Sequence, residues 1–180
     1  MKENSLEEKQ NCEIEEPSVK YKESFLSALK EYHEEKRNLD KDEKEIGDDF
    51  TKFIQHLKDV SQGINMKPGW VPENTYWIVD KDGYAGRVSL RHELTDKLLN
   101  FGGHIGYEVR PSKRGHGYGT KALELVLPKA RALGLKRVLI TCHSTNIGSR
   151  KIIEANGGVL ENEIPGEDGG PSRLRFWIEL

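Results

Sequence analysis

The chain has 180 residues, 35% hydrophobic and 32% charged, with a formal net charge of −2. That length suits one domain with a real core, which we place at 11–180 behind an aperiodic, charged tail at 1–10. No apolar run approaches a membrane span, the start lacks an apolar h-region, and two distant cysteines, Cys12 and Cys142, make neither a disulfide framework nor a metal spacing, so a cytoplasmic protein without membrane contact is expected.

Charge is uneven along the chain. Residues 1–60 carry 11 Lys/Arg against 17 Asp/Glu, or −6, and residues 61–180 carry 17 against 13, or +4. Neither half groups basic residues with interleaved aromatics, so no nucleic-acid partner is expected.

Taken in order, Cys12–Glu16 reads as a short edge strand ended by Pro17. From Ser18, an N-cap residue, Tyr21, Phe25, Ala28, Leu29 and Tyr32 recur at helical spacing. The run NLDKDEKEIGDD reads as a charged connection, after which Phe50, Phe53, Ile54, Leu57 and Val60 mark a second helix started by Asp48 or Asp49. Residues 63–74 hold two prolines and are expected as an ordered loop, with Trp70 either pinning it to the core or touching a substrate. Thr75–Val79 and Ala85–His92 alternate as antiparallel strands around an Asp-Gly turn, and Leu94–Gly103 crosses to a central strand.

That strand opens the stretch HIGYEVRPSKRGHGYGTKALELVL, an apolar run, a glycine-rich turn and an amphipathic helix. Gly115, Gly117 and Gly119 leave backbone N–H groups unshielded at a positive helix end, with Arg110, Lys113 and Arg114 nearby, so a phosphate site is expected. The triphosphate loop does not fit, because Gly119 is followed by Thr120 and Lys121 rather than Lys-Ser/Thr; nor does the dinucleotide fingerprint, because the spacing is G-x-G-x-G. Pro128 interrupts the helical stripe Ala122, Leu123, Val126, Ala130, Leu133, which predicts a kink or an early stop. Arg137–Cys142, Ser149–Asn156, Val159–Glu163 and Arg173–Glu179 follow as strand, helix, strand and strand.

What does fit is R-x-x-G-x-G, Arg114 to Gly119, placed after a strand and opening a helix. It resembles the coenzyme A loop of the GNAT superfamily of N-acetyltransferases. The resemblance extends over Thr75–Leu180 and includes the downstream strand and helix, RVLITCHSTNIGSRKIIEANGG, with Asn146 and Ser149 at the matching positions. It implies an α/β domain with a twisted mixed sheet of about seven strands flanked by helices. It also implies acetyl-CoA as co-substrate without a metal, and acetyl transfer by direct attack of an amine on the thioester. The acceptor would be a small-molecule or peptide amine and the protein a monomer or homodimer; a non-catalytic acyl-CoA sensor is the alternative. Cofactor binding would fall to Tyr107, Val109, Arg114, Gly115, His116, Gly117, Tyr118, Gly119, Thr120, Asn146 and Ser149, with the Val109 N–H holding the acetyl oxygen.

An amine with a pKa near 10 must lose a proton before attack. Glu108, His104, His92 and Glu93 are the candidate bases, Glu108 and His104 foremost because strand alternation puts both on one polar face. For Glu108 an ion pair to Arg110 or another cation is an equal reading. Arg91, His92 and Trp70 are expected to contact the acceptor. Many family members carry a tyrosine seven residues after the motif Asn as acid for the departing thiolate; here that residue is Ile153.

Overall fold

The computed structural model describes residues 11–180, so the tail expected at 1–10 lies outside the described residues. The elements run β1 (Glu13–Glu15), α1 (Lys22–Glu34), α2 (Glu43–Asp48), α3 (Phe50–Ser61), β2 (Glu73–Asp80), β3 (Gly83–Arg91) and β4 (Ile105–Val109), then α4 (Tyr118–Ala132), β5 (Arg137–His143), α5 (Ile147–Ala155), β6 (Val159–Ile164) and β7 (Arg173–Glu179). The α/β class and the seven strands are as expected. The strands divide into two antiparallel sheets, ordered β1-β2-β3-β4 and β5-β7-β6.

The four-stranded sheet is covered on both faces, which is why its strands carry apolar residues on both sides. On one face α1 and α3 lay Phe25, Ala28, Leu29, Tyr32, Phe50 and Ile54 over Trp77, Val79 and Tyr84. Phe25 stacks on Trp77 with ring centroids 5.1 Å apart. On the other face Leu123, Val126 and Ala130 of α4 pack with Val88, Leu90 and Ile105, and this core continues into Val138, Ile140, Phe176 and Ile178 of the second sheet.

Two local expectations need correcting. The charged run after α1 contains a helix, α2, because the Asp42 side chain caps Glu45 N at 2.8 Å and Lys44 pairs with Asp48 one turn on. Pro128 neither stops nor ends α4, which continues to Ala132. Pro128 and Glu124, whose carbonyl loses its partner, are both on the exposed side, where water can satisfy that oxygen, while Val126 and Ala130 stay locked in the core.

The sheets meet where Gly103 bridges Ile140. Gly103 has φ +71°, and a Cβ there would lie 2.5 Å from the Leu139 carbonyl oxygen. Gly157 has a similar φ of +84° with open space around the missing Cβ. Gly157→Ala should therefore cost about 1 kcal/mol of backbone strain, and Gly103→Ala about 2–4 kcal/mol because the clash adds to the strain. Denaturant unfolding of the two variants checks this, and equal losses would contradict it.

Candidate active site

β4 and β5 touch once and then part. His104 N donates to Leu139 O at 2.7 Å and Leu139 N to His104 Nδ1 at 2.9 Å. Among the described residues β4 and β5 share no ladder beyond the Gly103 bridge. On its other edge β4 pairs with β3, where Arg91 N donates to His104 O and Arg110 N to Ala85 O. Backbone groups alternate sides along an antiparallel strand, so Gly106 and Glu108 bond β3 while the N–H groups of Ile105, Tyr107 and Val109 turn toward the parting. A gap lined by unladdered amides can take an extended ligand as an added strand.

The gap leads to the glycine loop. After a turn at Pro111–Lys113, Gly115 and Gly117 adopt φ +77° and +84°, and Gly117 is the N-cap of α4 without any side chain to cap it. The first intrahelical bond is Lys121 N to Gly117 O at 3.1 Å, which leaves the Tyr118, Gly119 and Thr120 amides at the head of a 15-residue helix for an anion. Gly119 has a different reason to be glycine. A Cβ there would lie 2.6 Å from Ile152 Cδ1, so it lets α4 and α5 pack closely. The Tyr118 ring is buried with Cys12 and Ile78, its hydroxyl bonding Asp80, so only its amide faces the loop.

The cations beside the loop are each engaged by a carboxylate. Arg110 pairs with Glu31 at 2.7 Å, Lys113 with Asp80 and Asp82 at 2.8 and 2.7 Å, and Arg114 with Glu35 at 2.8 Å. Arg114 Nε also donates to Val109 O at 3.1 Å, and His116 Nδ1 donates to Arg114 O at 2.7 Å. A phosphate at this loop would rest first on backbone amides, with exposed Arg114 the cation best placed to change partner. Glu31 also accepts from Ser112 N and Oγ at 3.0 and 3.1 Å, so α1 anchors the start of the loop. Burial alone would raise the Glu31 carboxyl, but the donors from Arg110 and Ser112 outweigh it and hold it below the ordinary range.

Opposite the loop, Asn146 Oδ1 accepts from Ser149 N at 3.0 Å and caps α5. Ser149 Oγ and Tyr107 Oη lie 2.8 Å apart, joining α5 to β4. Burial raises the Tyr107 hydroxyl to about 12. Ile153 is fully buried in the core.

On the acceptor side a cleft of about 880 Å³ runs under the turn after α1, α2 and α3 and over β2, β3 and β4. Glu108 is in its floor, with its side chain 9% exposed, bound by Arg37 at 2.7 Å, Asn38 Nδ2 at 3.0 Å and Arg87 at 3.5 Å. Of the two sequence readings for Glu108, the geometry realises the ion pair, with Arg37 and Arg87 rather than Arg110. His104 does not share Glu108's surroundings: it precedes β4, is 7% exposed, and its Nδ1 lone pair accepts from Leu139 N, which leaves the proton on Nε2. Burial, reinforced by the charge of Arg91, depresses its pKa to about 4. Arg91 lines the cleft, pairs with Glu73 at 3.0 Å and donates to Gly103 O at 3.0 Å. His92 bonds Asn74, and Glu93 is exposed outside the cleft. Trp70 is 60% exposed on the cleft rim with Lys67 over its ring, so it does not pin the loop to the core. The sequence reading missed Asn38 and Lys41, which lie in the segment taken as a connection, and Arg37 just before it; the one signal was Asn38, an asparagine that tolerates the turn conformation it adopts at φ +53°. Among the described residues no cluster could hold a metal ion, and no helix is long and apolar enough to cross a membrane.

The family model described as "Acetyltransferase (GNAT) domain" matches residues 28–159. The chain belongs to the GNAT acetyltransferase family. Its activity is acetyl-CoA-dependent N-acetyl transfer. Solved structures similar to this acetyltransferase include RimL, a ribosomal L7/L12 α-N-protein acetyltransferase in complex with coenzyme A (15% identity, 94% of each chain covered, TM-score 0.69). The microcin C7 self-immunity acetyltransferase MccE, in complex with acetyl-CoA and AMP, has 18% identity over 94% of this chain and 92% of its own, with a TM-score of 0.68. RimJ from Mycobacterium smegmatis, in complex with a CoA-disulfide, has 17% identity over 96% and 83%, with a TM-score of 0.70. No curated protein matches the sequence.

Two measurements check the electrostatics. Because the folded-state pKa of His104 is below the unfolded value of 6.5, its contribution is fully present above about pH 6.5 and is lost as pH falls toward about 4. A His104→Gln variant should show a shallower stability loss across that window, and an imidazole titrating near 6.5 by NMR would contradict the assignment. Glu31→Ala should cost about 2 kcal/mol, because Arg110 is left largely buried without its partner, and should raise the acetyl-CoA KM by loosening the loop.

Proposed function

We propose that the acetyl-CoA thioester enters the parting of β4 and β5 and is attacked by an amine from the 880 Å³ cleft, each group of the chain having a separate task. The observation that carries this reading is the continuity of the β4 amides with the uncapped head of α4. A pyrophosphate on the Tyr118, Gly119 and Thr120 amides lets the pantetheine arm run beside Tyr107 and Val109. The Val109 N–H is then the donor for the thioester carbonyl oxygen, where charge develops as the amine attacks.

The leaving thiolate needs a proton that Ile153 cannot give. The Tyr107–Ser149 hydroxyl pair, 2.8 Å apart between β4 and α5, donates a hydrogen bond to the departing sulfur, and the proton itself comes from water. A thiol pKa near 8.5 makes this a modest assistance rather than an absolute need. Glu108, held by Arg37, Asn38 and Arg87, organises the acceptor side, and the amine loses its proton to cleft water. His104 is a structural hydrogen-bond acceptor. A cytoplasmic location agrees with both cysteines being free thiols.

Gly117→Glu places a carboxylate at the helix head and should abolish CoA binding, measured by calorimetry, in a chain that still folds. Unchanged affinity would remove the pyrophosphate assignment. For Glu108→Gln, an organising role predicts a raised acceptor KM and lower melting temperature with no recovery at high pH. A kcat loss on the order of 10²–10⁴ that recovers as free amine accumulates, with KM unchanged, would make Glu108 the base instead. Tight acetyl-CoA binding without thiol release across a broad amine library would mark a sensor.

A further inference from the structure

Beneath Glu108 a second, smaller cavity of about 50 Å³ shares Asn38, Lys41, Thr75, Arg87 and Glu108 with the open cleft and so continues it inward. Its floor is aromatic, formed by Phe25, Phe53, Trp77 and Tyr84. At about 10–15 Å³ per water it has room for a few waters or for one group of three or four heavy atoms.

Three donors on this cavity lack adequate partners. Tyr32 is 3% exposed and its hydroxyl makes no hydrogen bond of good geometry, its nearest polar neighbour being the Tyr84 hydroxyl, with which it interacts only weakly. A buried, unpaired hydroxyl is costly and marks a place where a ligand atom is missing. Lys41 donates to Asn38 Oδ1 at 2.7 Å and has no carboxylate within ion-pair distance among the described residues. Arg87 reaches Glu108 only at 3.5 Å, because Arg37 and Asn38 occupy that carboxylate more closely. Arg37, Lys41 and Arg87 thus face one buried carboxylate, with exposed Asp40 adding a solvent-screened charge. Burial and the nearby Arg87 charge lower the Lys41 pKa, the direction expected where positive charge is in excess.

We infer that the amine acceptor carries a carboxylate, as an amino acid does, and that this group binds in the inner cavity to the Tyr32 hydroxyl, Lys41 and Arg87. The inference rests on the transfer reading above and names its substrate class. A carboxylate is small enough for the cavity, carries a negative charge that reduces the excess of cations, and accepts from a phenol, an ammonium and a guanidinium at once. Polyamines and aminoglycosides would bring further cations against Arg37, Lys41 and Arg87 and are disfavoured.

The test uses the full chain with acetyl-CoA and follows thiol release with matched triplets: each common amino acid, its α-amide and its decarboxylated amine. The acid should be favoured at least about tenfold in kcat/KM, although the amide has the less basic amine. Lys41→Met and Tyr32→Phe should each reduce that preference about tenfold while leaving the acetyl-CoA KM unchanged. Tyr32→Phe should fold normally, since its hydroxyl has no partner to lose.

A second readout needs no turnover. Calorimetry of the CoA-loaded protein with acetate through hexanoate should detect binding in wild type and weaker binding in Lys41→Met. Equal use of the triplet members, stronger use of an aminoalkyl phosphate, an undiminished preference in Lys41→Met, or no carboxylate binding with CoA bound would overturn the inference. Failure to bind CoA at all would instead remove the transfer reading on which it rests.

Discussion

The single backbone contact between β4 and β5 is the constraint on which the rest depends. At Gly103 and His104 the two sheets are held together by a bridge, a backbone hydrogen bond and a ring nitrogen, and past that point they separate. A continuous ladder would have consumed the Tyr107 and Val109 amides, leaving nothing to recognise an extended thioester. No contact at all would have left the shared core of Ile105, Ile140 and Phe176 open to water. His104 completes the join only as a neutral ring, and its burial enforces that state.

A second constraint couples the two halves of the site through α1. Its outer face gives Glu31 to Arg110 and Ser112 and, just past its end, Glu35 to Arg114, so the phosphate loop is braced from the acidic part of the chain. The same segment continues into Arg37 and Asn38, which bind Glu108 in the acceptor cleft. Two carboxylates of residues 1–60, Glu31 and Glu35, therefore have specific local work: they neutralise Arg110 and Arg114, which would otherwise repel one another. These pairs are partly exposed, and their value lies more in geometry than in net stability.

Where the sequence was legible, the physics was local. The glycine loop, the edge strand and the Asp-Gly hairpin all depend on residues within a few positions of one another, and their periodicity or spacing is visible in one window. The misreadings were of another kind. Pro128 fails to break α4 because Val126 and Ala130 are fixed by strands far along the chain. Glu108 is engaged by Arg37 and Arg87, partners 71 and 21 residues away. His104 looked like a polar-face residue because strand alternation was extended one position too far. Residues 38–41 read as the start of a charged connection, since nothing in their composition reveals that β4 lies beneath them.

The isoleucine at 153 fixes what the proposed chemistry can draw on. Ile153 is fully buried and contributes to the core beneath α5, so a phenol there would have to leave that core to reach a thiolate. Tyr107, on the opposite wall, brings a hydroxyl across to Ser149 at the N-terminus of α5. The pair lies where the helix amides favour negative charge, which on the proposed reading is that of a thiolate accepting a hydrogen bond from Ser149. Burial that raises the Tyr107 pKa keeps it a neutral hydrogen-bond donor and makes it a weaker acid. On the proposed reading, the donor to the sulfur is at the cap of α5 rather than in its body, where Asn146 fixes the geometry by holding Ser149 N.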